Sequence, residues 1–190
     1  MALVLAGLLL ASCTGASPSP SPSPSPTATP TPSPTPTPSP SPTPSGVGVS
    51  EAAQAYLVPL PGYDYVALPA AVEQQAVAGL QNEAIAQYFN GYAIQSVTRD
   101  GVGQAVAWVL DVEPSFLAIP GSMDGFVGGI AGTTSGTSSQ VTLAGQAAYQ
   151  VVTPTQQLVA WQTGSFIVVV FGPDLASVSA VATALIEAHA

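Results

Sequence analysis

Lysine is absent from this 190-residue chain, and arginine, histidine and cysteine occur once each, at Arg99, His189 and Cys13. Against the single base stand ten acidic residues, for a formal net charge of −9. Each scarcity excludes something. Phosphate backbones are held by clustered Lys and Arg, so nucleic acid is not a partner. Docking on anionic lipid by charge is disfavoured for the same reason. One guanidinium cannot build a clamp around a phosphorylated substrate. One cysteine forbids an intramolecular disulfide. With one His and one Cys there is no Ser-His-Asp triad, no Cys-His pair and no ordinary zinc site. His189 lies one residue from the C-terminus, where a cation suits a helix dipole but a fraying end holds no general base in place. Gly101-Val-Gly103 and Gly128-Gly129 fit no phosphate-binding loop, and no Ser sits in a Gly-x-Ser-x-Gly elbow. No cofactor is expected.

Apolar and small residues fill positions 2–12 without a charge. The run suits the core of an export signal and is too short for a bilayer span of about 20 residues. It ends in Leu10-Ala11-Ser12-Cys13, which resembles the lipobox of bacterial lipoproteins. The resemblance implies a signal peptide over 1–12, a diacylglyceryl group on the Cys13 thiol and cleavage after Ser12. Residues 13–16 would then be the lipidated N-terminus, bearing acyl chains such as palmitate. Two acyl chains supply the two signals that stable membrane anchoring needs. The expected address is extracytoplasmic, lipid-anchored to the cell membrane. The basic residue that normally opens such a segment is missing, and a start upstream of Met1 would account for it.

From residue 17 to 45 the chain is nearly all Ser, Thr and Pro. Proline fixes φ and removes a donor, which excludes helix and sheet. The expectation is a disordered tether rich in polyproline II. At about 3.1 Å per residue it reaches at most roughly 90 Å. Its composition also resembles O-glycosylated stalks, with a plain spacer as the alternative.

Residues 50–190 remain as a single domain, large enough to bury about two thirds of its unfolded surface. Ser50 caps a short helix through Leu57. Tyr63–Val66 reads as a strand and Pro69 opens a helix to about Asn82. Strands over 92–99 and 105–113 flank Asp100-Gly101, a hairpin signal. Residues 122–132 fit a helix in pattern, yet four glycines weaken it by about 1 kcal/mol each. Four strands follow, over 140–143, 146–152, 158–162 and 166–171. The last is apolar on both faces and therefore central. Asp174 caps a final helix through about Ala188, burying Val178, Val181, Ala182, Leu185 and Ile186. Strands succeeding strands with about three helices predict an α+β fold: two layers, a mainly antiparallel sheet with helices packed on it.

Val141-x-Leu143-x-Gly145 with Tyr149, then Ala160-Trp161-x-x-Gly164-x-Phe166 and a terminal amphipathic helix, resemble the closing module of uncharacterised extracytoplasmic domains. These domains occur in Gram-positive lipoproteins and membrane-anchored regulators. The resemblance implies a fold and an address, and no activity.

Asp111 and Glu113 share a strand face, with Asp124 close in sequence. Paired carboxylates can do acid/base work or hold calcium, but no loop has calcium-ligand spacing, and a solvated face is the alternative. Trp108, Trp161, Tyr65, Phe116 and Phe126 are candidates for lining an apolar cavity, with core packing the alternative for each. The expected role is non-enzymatic: a tethered envelope domain that binds a protein or apolar ligand, with the membrane reached through the lipid on Cys13. The alternative is an envelope hydrolase using carboxylates only.

Overall fold

Asp100 and Gly101 take φ of 53° and 75°, the pair of positive values that a two-residue hairpin turn matched to strand twist requires. They join β2 (Phe89–Arg99) to β3 (Val102–Val112). This hairpin is the frame of a computed structural model that describes residues 47–190. The expected leader (1–12), lipidated segment with Cys13 (13–16) and tether (17–45) lie outside those residues.

Ala144 and Gly145 repeat the same turn, at φ 46° and 82°, between β4 (Thr137–Leu143) and β5 (Gln146–Val152). Thr153 turns the chain into β6 (Gln157–Thr163): its hydroxyl accepts from the Gln156 N–H at 2.9 Å and donates to the Gln156 carbonyl at 2.8 Å. Gly164, at φ 54°, leads into β7 (Phe166–Gly172). With β1 (Asp64–Val66) these form one antiparallel sheet in the order β1-β2-β3-β7-β6-β5-β4. The fold is α+β, and β7 lies between β3 and β6, where its two apolar faces require it to be.

Helices cover both faces, where two layers are expected from sequence. On one face lie α1 (Glu51–Tyr56) and α6 (Leu175–Glu187), packed on Ala107, Val109, Val159, Trp161, Val168 and Val170. On the other lie α2 (Ala70–Val77) with its 3-10 extension Ala78–Gln81, α4 (Pro114–Leu117) and α5 (Ser122–Thr133). These pack on Leu110, Val112, Leu158, Ile167 and Val169. A further turn, α3, spans Glu83–Ala86. The reason is visible in β3, β6 and β7: consecutive residues are apolar, so each face needs its own cover.

Asp174 caps α6, its carboxylate accepting from the Ser177 N–H at 2.9 Å. That backbone hydrogen bond, with the Ser177 hydroxyl, holds the Asp174 carboxyl below its ordinary value. Val178, Val181, Ala182 and Leu185 on α6 are fully buried. Each full-sized chain among them contributes about 1.5–3 kcal/mol on burial.

The segment ahead of Ser50 also takes part. Val47 is buried, Val49 bridges Tyr92 in parallel, and the Tyr92 N–H donates to the Gly48 carbonyl at 3.0 Å. Gly91 permits this approach, since a Cβ there would stand 2.7 Å from Ser50 Cβ and 2.8 Å from the Gly48 oxygen.

Candidate functional site: a half-buried aromatic face

Of the three carboxylates singled out above, Asp111 and Asp124 are bonded on opposite faces of the sheet. Asp111, near the end of β3, accepts from the Ser50 hydroxyl at 2.8 Å and from Asn90 Nδ2 at 3.3 Å. Ser50 caps α1, so Asp111 belongs to the α1/α6 side. Asp124 stands on α5 and accepts from the Tyr149 hydroxyl at 2.7 Å, on the other side. That bond is the first cause raising the Tyr149 hydroxyl above its ordinary value. Glu113 follows β3 at the start of α4, where its N–H donates to the Tyr88 carbonyl at 2.8 Å. Among the described residues, no three His, Cys, Asp or Glu side chains form a metal-holding group.

His189 packs against α1. Its ring stacks on Tyr56 with centroids 3.9 Å apart, and Nε2 lies 2.8 Å from the Tyr56 carbonyl. A carbonyl only accepts, so Nε2 carries the proton and donates. That bond and the ring stack hold the terminus against α1.

Arg99 is exposed and lies over the Tyr63 ring, 4.2 Å from its centroid. Pro61, Tyr63 and Arg99 face Ser179, Thr183 and Glu187 of α6 across an open groove of about 670 Å³. Gly101 makes the β2–β3 turn, while Gly128 and Gly129 lie exposed on α5.

The aromatic candidates divide between the two faces. Trp161 is 1% exposed and belongs with Tyr65 to the α1/α6 core. Trp108, Phe116 and Phe126 belong to the opposite face, each half-buried. Trp108 lies level with Ile94 on β2 and Val169 on β7, and Val106 level with Phe171. From the helical layer, Met123, Phe126 and Ile130 of α5 and Phe116 and Leu117 of α4 pack against the same cluster without being fully covered. Glycines occupy four positions of α5 and supply no side chain to close the layer.

Two buried polar atoms have no hydrogen-bond partner among the described residues: Trp108 Nε1 and the Tyr65 hydroxyl. Burial pushes the Tyr65 hydroxyl up to about 12. An unmet buried donor costs about 1–3 kcal/mol. At Trp108 that donor is on the sheet face that carries the half-buried residues, a conjunction that no local sequence pattern signals. No helix among the described residues is long and apolar enough to cross a membrane.

The chain matches no protein-family model, no curated protein and no solved structure.

Proposed function

We propose that the protein is a lipid-anchored envelope protein whose domain binds an apolar ligand carrying an acceptor oxygen, such as an acyl ester, on the Trp108 face. The anchor in this reading is Cys13, within Leu10-Ala11-Ser12-Cys13, and the Pro-rich run is the tether. The supporting observation is the unmet Trp108 Nε1 donor on the sheet face where half-buried Val106 and Phe171 are its neighbours. Apolar walls with one or two placed polar groups are the usual composition of a lipid-type site. A binding role is favoured over carboxylate hydrolysis because Asp111 and Asp124 are bonded on opposite faces of the sheet.

Native mass spectrometry of the full chain extracted from its own membrane tests the binding role. The expected spectrum carries a co-purified lipid-sized adduct. In Trp108→Phe, which keeps an aromatic ring without the donor, the adduct should fall about tenfold, the worth of one hydrogen bond. A bare wild-type mass, or an adduct unchanged in both Trp108→Phe and Trp108→Ala, would overturn it. Cys13→Ala tests the address: release from membranes or an uncleaved precursor is expected, and normal processing with full retention argues against it.

A further inference from the structure

Charge is spread unevenly along the chain. From Gly125 to Pro173 there is no charged residue and no histidine. That run builds β4, β5, β6 and β7 and most of α5. Because β4 ends the sheet order, one edge of the sheet lies wholly within uncharged sequence.

The two edges differ in their protection. At the β1 edge the strand has three residues, starts at Asp64 and lies between Pro61 and Pro69. Further along β2 the outer side is occupied at Tyr92 by Val49 and by backbone bonds with Gly48 and Ser50. Short strands, prolines and charges are the ordinary means of blunting an edge. β4 has none of them. Its seven residues pair in unbroken register with β5. They include no proline and no charge, and Thr137, Ser138, Ser139, Gln140 and Thr142 are exposed. Its outer row of N–H and C=O groups is a template for another strand.

We propose that β4 pairs antiparallel with β4 of a second copy of this chain, about a two-fold axis at Gln140, joining the two sheets into one. Three arguments select a second copy. An antiparallel edge is complementary to itself, and an axis at Gln140 aligns both strands fully: Thr137 meets Leu143, Ser138 meets Thr142, and Ser139 meets Val141. A net charge of −9 opposes contact between copies through their acidic halves, whereas this approach brings the uncharged run against itself, accompanied by Asp124, which is linked to Gln140 through the Tyr149 hydroxyl. A basic partner strand would instead be steered to the acidic half. Because the other edge is blunted, pairing closes at two copies rather than propagating.

Sedimentation equilibrium of the full chain in density-matched detergent tests this, with circular dichroism confirming that each variant stays folded. Wild type should be dimeric at about 100 μM. Ser138→Glu with Thr142→Glu sets like charges directly opposite across the axis, twice, and should weaken the dimer about tenfold or more. Ser138→Lys with Thr142→Glu sets opposite charges there and should restore it. A wild-type monomer, or a dimer indifferent to the paired glutamates, would overturn the edge. Failure of the Lys/Glu variant to recover would overturn the Gln140-centred register.

Discussion

Trp108 and Trp161 lie on opposite faces of one sheet, Trp108 level with Val169 of β7 and Trp161 level with its neighbour Val168. The two indoles therefore share no cavity. Trp161, 1% exposed, is core. Truncating it to Ala should cost about 3–5 kcal/mol. Trp108 is half-buried and carries an unmet donor, so Trp108→Ala should cost less, about 1–2 kcal/mol. Urea titrations of the two variants check the order, and equal losses would make Trp108 plain core.

That division explains what is legible in the sequence and what is not. The Asp100-Gly101 hairpin, central β7 and the Asp174 cap follow from rules acting within a few residues, and each is present. Residues 122–133 form a helix despite their glycines, because Val127 and Ala131 bury against the sheet and packing outweighs propensity. Helices on both faces, the seating of Val49 on β2 and the separation of the two tryptophans depend on strand order, which local pattern does not contain. The stacking of His189 on Tyr56 is illegible for the same reason: the two lie 133 residues apart.

Val47–Val49 belong to the fold. A chain starting at Gly46 should melt with the full-length protein, whereas one starting at Ser50 loses the buried Val47 and the backbone bonds between Gly48 and Tyr92. Burial of Val47 alone is worth about 1.5–3 kcal/mol. Calorimetry of the three chains decides, and an unchanged midpoint for the Ser50 start would show these residues to be passengers.

Ser50 does two things with one hydroxyl: it accepts from the Ala53 N–H at 3.2 Å and donates to Asp111 at 2.8 Å. Ser50→Ala should cost about 1–2 kcal/mol in chemical denaturation, combining a lost cap with a stranded carboxylate. Asp111→Asn keeps an acceptor and should cost less. Neither should alter ligand retention on the Trp108 face. Loss of an activity in Asp111→Asn at unchanged stability would return the carboxylates to chemistry.

Tyr65 gives the pH dependence. Its hydroxyl is buried without a partner among the described residues. Burial, with the neighbouring Tyr56 second, moves its ionisation from 10.0 to about 12. The folded state therefore favours the neutral phenol. That contribution is complete below pH 10 and declines as pH rises from 10 toward about 12, because the unfolded chain ionises first. Phenylalanine has the ring and no hydroxyl to desolvate or ionise. Tyr65→Phe should be as stable as wild type at neutral pH or more so, by up to about 1 kcal/mol. Its stability should fall less steeply between pH 10 and 12 than that of the parent, as followed by denaturant midpoints across that range. Destabilisation by Tyr65→Phe at neutral pH would mean that the hydroxyl has a partner after all, and the alkaline limb would then have to be assigned to another tyrosine.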